Sequence, residues 1–141
     1  LIHEDLQKNM QYNVGIIRTK DEILNGISKI DDLKSQFKDV KAAGTSQFNP
    51  GWHEALALRN LLISSEAVAK SALLREESRG AHQRDDYKKI NNDFNVNMRV
   101  KFDSDENILL SKDKVPALKK DLEGLITNTK EIDNFEGMLL E

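Results

Sequence analysis

Apolar residues recur every three or four positions along the N-terminal half of the chain, which is the repeat of helices that bury one face. The first stretch predicts a helix over about residues 2–14. The next begins after Thr19, where the sequence TKDE has the form of a capping box, and is predicted to end near Val40. A third helix is predicted to begin at Asn49 and Pro50, because asparagine caps free helix amides and proline has no amide to leave unpaired.

The third predicted helix extends to about Arg79 and carries two separate apolar faces. The wide face consists of Leu58, Leu61, Leu62, Ala69, Ala72 and Leu73. The narrow face consists of Leu56, Ile63, Ala67 and Leu74. The two preceding helices can cover the wide face, whereas the narrow face needs either the later part of the chain or another domain. We therefore predict a mainly α fold built on an antiparallel three-helix bundle that is like a spectrin repeat.

Further along, the pattern changes to alternation of apolar and polar residues. Residues 94–102 predict a strand, residues 103–107 a turn, and residues 108–110 a returning strand. A lone hairpin is barely stable in water, so this one is expected to lie against the helices or against another part of a larger protein. Pro116 is predicted to open a short helix that carries Leu118, Leu122, Leu125 and Ile126.

Length, composition and charge narrow the range of protein classes to which this chain can belong. With 141 residues the chain has the size of one domain, and we divide it into a three-helix domain over residues 1–88 and an extension of hairpin, short helix and tail over residues 89–141. Its net charge of −3 argues against a nucleic-acid binder. The absence of cysteine excludes thiolate chemistry and fits a reducing compartment such as the cytoplasm. Because the sequence opens at Leu1 with a helical pattern already under way, we expect it to be a fragment of a longer protein.

No residue is a strong candidate for catalysis, cofactor binding or metal binding. The three histidines, His3, His53 and His82, are far apart in the sequence and lack the spacing of a metal site. Neither of the common glycine-rich phosphate-binding motifs occurs. Ser78 lies near His82 in sequence, but a nucleophilic serine needs a base held against its hydroxyl. A helix-end serine that bonds local backbone is the favoured interpretation.

The most distinctive stretch is residues 75–89, where arginines, lysines and acids alternate around one glycine. Gly80 is predicted to end the third helix, with Arg75 and Arg79 on one face of its last turns. Ion pairs are expected among Arg79, Arg84, Glu76, Glu77, Asp85 and Asp86. Since the interleaved acids repel phosphate, we interpret the stretch as a structural knot that fixes how the chain leaves the helix.

This stretch resembles a segment, R-x-E-S-R-G-x-H-x-R-x-D-Y, of the flavoprotein subunits of succinate dehydrogenase and fumarate reductase. L-aspartate oxidase, a relative, has a similar segment. The residues that match are Arg75, Glu77, Ser78, Arg79, Gly80, His82, Arg84, Asp86 and Tyr87. The likeness covers about residues 2–88, and upstream it includes Leu6, Met10, Gly15 and Arg18. Lys88 departs from the pattern, because a proline often stands at that position.

The resemblance implies that this chain is the C-terminal helical domain of an FAD-dependent protein that interconverts succinate and fumarate. In that family the domain packs against the FAD-binding domain of the same chain. The FAD-binding and substrate-binding residues lie upstream, so no catalytic residue is carried over. The nine matching residues are expected to form a structural, interdomain motif. The implied partners of the parent protein are a membrane anchor and an iron–sulfur subunit, which would place it on the inner face of the cell membrane.

Two other interpretations stay open. The chain could be the C-terminal domain of L-aspartate oxidase, or a free-standing helical interaction module that binds a partner helix through the narrow face. An isolated chain with an uncovered apolar face is also expected to be able to pair with a second copy of itself.

Overall fold

The computed structural model describes residues 1–45, 47–104 and 107–119. Its helices are α1 (Ile2–Asn13), α2 (Lys20–Phe37), α3 (Pro50–Leu74) and a single 3₁₀ turn (Asn92–Phe94). Its strands are β1 (Ile17–Arg18), β2 (Gln83–Arg84), β3 (Val96–Phe102) and β4 (Ile108–Lys114). The fold is mainly helical with a small sheet region, as the sequence pattern predicts.

The starts of α2 and α3 have the caps that the sequence predicts. At α2, the hydroxyl of Thr19 accepts a hydrogen bond from the amide of Glu22 at 3.3 Å, and the Glu22 carboxylate accepts one from the Thr19 amide at 2.7 Å. At α3, the side chain of Asn49 accepts a hydrogen bond from the amide of Trp52 at 3.2 Å, and Pro50 takes the first helical position. These bonds satisfy amides that a helix start leaves unpaired.

The core lies along α2, which contacts both α1 and α3. Its buried apolar side chains are Leu6, Val14, Ile23, Ile30, Leu33, Leu62, Ala69 and Ala72. Helices α1 and α2 approach closely at Gly26, where an added Cβ would lie 2.9 Å from Cγ2 of Val14. The amide side chain of Asn9 donates to the Gly26 carbonyl at 2.9 Å, so the same crossing is also fixed by a buried hydrogen bond.

The two apolar faces of α3 are covered to different extents. Leu62 on the wide face is buried, but Leu61 is 43% exposed, and its predicted burial is wrong. Leu61 borders an open cleft beside Leu1 and Ile2 at the start of α1, so the described part of α1 does not cover it. On the narrow face Leu56 is 45% exposed, while the other members are partly buried.

The hairpin of β3 and β4 lies beside that narrow face, since Ala67 borders an open cleft together with Met98 and Val100. The two strands pair antiparallel, from Val96 opposite Lys114 to Phe102 opposite Ile108, so β4 is longer than predicted. Both strands contact α3. The hairpin therefore lies against the helices, which supplies the second layer that an isolated hairpin lacks.

The predicted C-terminal helix falls mostly outside the described residues. Positions 115–119 carry no regular secondary structure, and Leu122, Leu125 and Ile126 lie beyond the described part. Among the helices that the structure describes, none is long and apolar enough to cross a membrane.

Candidate functional site

The arginine-rich stretch begins where α3 ends, at Leu74. The predicted end of α3 near Gly80 is wrong: the backbone is extended at Arg75 (φ −86°, ψ 99°), so Arg75 and Arg79 do not share a helix face. The side chain of Arg84 explains the early stop. Its Nη1 donates to the carbonyls of Ala72 at 3.0 Å, Leu73 at 3.3 Å and Arg75 at 3.3 Å. These are carbonyls that a helix end leaves unpaired, and a cation is favoured there by the helix dipole.

The same guanidinium holds a carboxylate on its other edge. Nε and Nη2 of Arg84 each donate to one oxygen of Asp86 at 2.7 Å, a bidentate pair, and the ring of Tyr87 lies 5.0 Å from the Arg84 Cζ. The hydrogen bonds from Arg84 lower the pKa of Asp86 to about 2, and the pKa of Arg84 is raised by this pair. The amide of Lys20 donates to Asp86 at 3.0 Å, so the pair joins the end of α3 to the start of α2.

Glu77 is a second centre of the stretch and has no exposed side-chain surface. Its oxygens accept hydrogen bonds from Arg75, from Arg79 Nε at 2.9 Å and from the amide of Asn91 at 2.9 Å. Burial by itself raises the pKa of Glu77, but these hydrogen bonds outweigh burial and leave the pKa below its usual value. Glu77 is therefore a buried carboxylate with every oxygen committed to this chain.

A tight turn at Gly80 brings Arg79 and His82 together. Their backbones exchange two hydrogen bonds, of 2.8 and 3.0 Å, and Gly80 has a φ of +56°, a conformation that glycine adopts readily. His82 Nε2 lies 3.1 Å from the carbonyl of Arg75 and therefore carries the hydrogen. Burial, and then the nearby arginine charges, lower the pKa of His82, which favours the neutral ring.

Ser78 also forms hydrogen bonds with backbone groups. Its hydroxyl lies 2.8 Å from the carbonyl of Tyr87, to which it donates, and accepts from the amide of Arg84 at 2.9 Å. His82 is hydrogen-bonded elsewhere, to the Arg75 carbonyl, so the structure does not bring Ser78 and His82 together as a nucleophile and its base. Among the described residues, no group of three or more potential ligands could hold a metal ion.

All nine residues of the motif thus lie in one corner, which we call the arginine corner and which consists of Arg75, Glu77, Ser78, Arg79, Gly80, His82, Arg84, Asp86 and Tyr87. Of the predicted ion pairs, Glu77 with Arg79 and Asp86 with Arg84 are formed. The corner also reaches the hairpin, because Arg75 donates to the carbonyls of Phe94 at 2.9 Å and Val96 at 2.7 Å.

The sequence did not predict the surroundings of two further charged residues, Arg18 beside the corner and Glu66 on α3. Arg18 precedes the cap of α2 and lies in β1, which pairs in parallel with β2; its Nε is buried and has no hydrogen-bond partner among the described residues. Glu66, a polar residue between the two apolar faces of α3, is buried and bonded to Lys34 and Lys70. Only the spacing of Glu66 and Lys70, four apart on one helix, was a signal in the sequence.

Comparison with known proteins gives this geometry a family. The sequence model described as fumarate reductase flavoprotein C-term matches residues 3–124, which is most of the chain. This chain belongs to that family. The predicted resemblance to the C-terminal domain of succinate dehydrogenase and fumarate reductase flavoproteins is confirmed.

Individual members of the flavoprotein family agree with this assignment. The chain is 38% identical over 86 residues to a fumarate reductase (CoM/CoB) subunit of Methanothermobacter marburgensis, covering 61% of this chain and 16% of that protein. It is 38% identical over 89 residues to the succinate dehydrogenase flavoprotein subunit of Coxiella burnetii, covering 62% and 15%. The Mycobacterium smegmatis Sdh1 complex in the apo form contains a chain of the same fold, with a TM-score of 0.79 and 35% identity over 94% of this chain and 23% of that one. The chain thus spans about a sixth of the length of the curated relatives that it matches.

Proposed function

We propose that this chain is the C-terminal scaffold of an FAD-dependent flavoprotein that interconverts succinate and fumarate. The observation that carries the proposal is that the central polar groups of the arginine corner already have hydrogen-bond partners within this chain. Arg84, Glu77 and Asp86 form hydrogen bonds with side chains and backbone of this same chain. Groups bonded in this way hold a geometry and have no open position with which to bind or convert a substrate.

The proposed scaffold docks on the FAD-binding domain of the same parent chain, next to the arginine corner. Arg18 supports this face, because its buried Nε has no acceptor among the described residues. Burial and the charge of Arg84 lower the pKa of Arg18, so a carboxylate or carbonyl from another domain would relieve both effects. Arg18 borders an open cleft of about 360 Å³ against α3, and neighbouring Ile17 is 61% exposed. A half-buried cation beside exposed apolar surface is suited to such a contact.

Several finer features belong to the same proposal. The three helices form an antiparallel bundle of the spectrin-repeat type, with residues 1–88 as the domain and residues 89–141 as its extension. The parent carries FAD in its upstream part and assembles with a membrane anchor and an iron–sulfur subunit as a peripheral protein. The names of the relatives, among them fumarate reductase and succinate dehydrogenase subunits, support this assembly.

The test replaces Arg79 with alanine in the full-length flavoprotein. Arg79 donates two hydrogen bonds to Glu77, of 2.9 and 3.2 Å, and charged hydrogen bonds of this kind are worth about 1.5–3 kcal/mol. Arg79→Ala is expected to loosen the corner and to lower the fraction of the flavoprotein that assembles, with KM for succinate unchanged in the assembled part. Size-exclusion chromatography, limited proteolysis and steady-state kinetics measure these quantities.

The matched control is Arg99→Ala on the hairpin. Arg99 pairs with Asp113, but its side chain is 54% exposed, and exposed pairs contribute little. The control is expected to assemble and turn over like the parent. An Arg79→Ala protein that is stable and assembled but has lost its affinity for succinate would contradict the scaffold assignment.

A further inference from the structure

The outer edge of β3, which is the side directed away from β4, is open over part of its length. The amide of Asp103 donates to the carbonyl of Asn107 at 3.0 Å, so these two residues are a hydrogen-bonded pair that closes the hairpin. In an antiparallel ladder such pairs alternate with pairs whose amides and carbonyls point outward. Every second residue from Phe102 back to Val96 therefore directs its backbone groups away from β4.

One end of this edge is already bonded and shows where the edge points. The carbonyl of Val96 accepts a hydrogen bond from Arg75 at 2.7 Å, as the alternation requires. Arg75 also lines the open cleft of about 360 Å³ beside α3, together with Met98 and Val100, the next two outward residues of β3. Outside the hairpin, the amides and carbonyls of these two have no hydrogen-bond partner among the described residues. Backbone groups left open on a strand edge are a template for another strand.

The same cleft is lined by an arginine that lacks a carboxylate. Arg18 borders it with a buried Nε that has no hydrogen-bond partner, and no carboxylate in the described part of the chain is bonded to it. The neighbouring arginines are paired, Arg75 with Glu77 and Arg84 with Asp86. An occupant of the cleft can therefore satisfy backbone groups on β3 and a guanidinium on β1 at the same time.

We propose that an extended segment of the FAD-binding domain adds to β3 as a third strand and carries one carboxylate to Arg18. Backbone pairing along the edge supplies affinity, whereas the carboxylate fixes the register of the segment. A second copy of β3 is a poorer occupant, because a symmetric pairing would bring another Arg18 to the cleft and no carboxylate. The inference rests on the proposed function, since it names the kind of segment with which the FAD-binding domain fills the cleft.

Hydrogen–deuterium exchange with residue-resolved mass spectrometry tests the third strand. It compares the amides of Met98 and Val100 in this chain alone and in the full-length flavoprotein. We expect both amides to exchange at least about tenfold more slowly in the full-length protein, because they become hydrogen-bonded there. The outward amides of Lys112 and Leu110, directly opposite on the other edge of the hairpin, should exchange at the same rate in both proteins.

A proline on each edge gives a matched pair of variants. Val100→Pro removes an outward amide from β3, and Leu110→Pro removes the one opposite it on β4, so neither takes away a bond between the two strands. In the full-length protein, Val100→Pro should return the exchange of Met98 to the rate of the chain alone, whereas Leu110→Pro should leave it slow. Slow exchange of the inward Arg99 amide shows that the hairpin still forms in each variant.

Arg18→Gln tests the carboxylate separately. Loss of a charged hydrogen bond should speed the exchange of the Met98 and Val100 amides in the full-length protein about tenfold. The control is Arg99→Gln, because the Arg99 side chain is 54% exposed and its pair with Asp113 lies within the hairpin. This control should leave both rates unchanged.

Slower exchange that is confined to the β3 edge and is reversed by Val100→Pro and by Arg18→Gln supports the proposal. Equal rates in the two proteins, slower exchange on both edges alike, or an unchanged rate in Arg18→Gln overturns it. Protection in the chain alone that disappears on dilution identifies a second copy as the occupant and likewise overturns it. Failure of the scaffold role is distinct from all of these, since it shows as normal assembly with altered KM in Arg79→Ala.

Discussion

Neutralising Asp86 is the most direct test of the pair that terminates α3. In Asp86→Asn the side chain keeps its size but loses its charge, so the bidentate pair with Arg84 and the bond from the Lys20 amide are weakened together. Arg84 has only 1% of its surface exposed and loses the carboxylate that is bonded to it. Leaving a buried cation unpaired is expected to destabilise the fold.

The magnitude follows from the pKa of Asp86. Its fall from 3.8 to about 2 corresponds to about 2.4 kcal/mol, at about 1.4 kcal/mol for each tenfold change in the ionisation equilibrium. Because the Asp86 side chain is 28% exposed, water screens part of this interaction, and we expect Asp86→Asn to lower the free energy of unfolding by about 1–2 kcal/mol. A carboxyl with a lowered pKa stabilises the folded state above the unfolded pKa, and this contribution is lost as the pH falls from about 4 towards 2.

Urea unfolding of the chain and of Asp86→Asn at a series of pH values measures the effect. The difference in free energy of unfolding should be about 1–2 kcal/mol near pH 6 and should shrink between pH 4 and pH 2. The control is Asp85→Asn, since the Asp85 side chain bonds to no residue in the described part of the chain. A difference that is absent at pH 6, or that stays constant down to pH 2, would refute the reasoning.

Two further substitutions test local geometry by the same unfolding assay. Gly80→Ala should destabilise the chain by about 1–2 kcal/mol, because φ at Gly80 is +56° while no atom lies within 4 Å of the added Cβ, so the whole effect is backbone strain. Gly80→Asn should cost less, and equal effects of the two would contradict this account. Thr19→Ala should destabilise α2 by about 1 kcal/mol through loss of the capping box, and Thr19→Ser should restore most of it; an unchanged stability in Thr19→Ala would show that the cap contributes nothing.

The helix starts were predictable because their caps are local. Thr19 and Glu22 lie three positions apart and satisfy each other's amides, so the pattern is visible in four letters of sequence. Asn49 with Pro50 is equally local. The pairing of Glu77 with Arg79 and of Asp86 with Arg84 was also predictable, since each pair lies two residues apart.

The end of α3 was not predictable in this way, because its cap comes from a distance. Glycine is the usual local signal for a helix end, and Gly80 was interpreted as that signal. The carbonyls of Ala72 and Leu73 are instead satisfied by Arg84, which lies twelve and eleven residues further along, respectively. A cap that comes from a residue beyond the helix does not change the pattern of apolar residues within it, so that pattern does not predict where the helix ends.

Glu66 shows the same limit on the side of α3. A polar residue between two apolar faces is expected to face water, yet Glu66 is 5% exposed. Its burial depends on Lys34 from α2, and the packing of the two helices sets that distance. Burial raises the pKa of Glu66, but the hydrogen bonds from Lys34 and Lys70 outweigh it, so the carboxylate stays charged.

A buried network of charges is a poor source of net stability, because desolvation offsets much of the attraction. The network in the arginine corner therefore has another role. Its geometry indicates that it sets the direction in which the chain leaves α3. The donors of Arg84 are fixed in one plane and meet acceptors from α3 on one side and Asp86 on the other, an arrangement that apolar packing does not specify. The chain then leaves α3 along a single path, which pairs β2 with β1 and sets Arg18 beside the open cleft. The proposed scaffold role, which is to present one face to a larger protein, needs that path to be unique more than it needs the last few kcal/mol of stability.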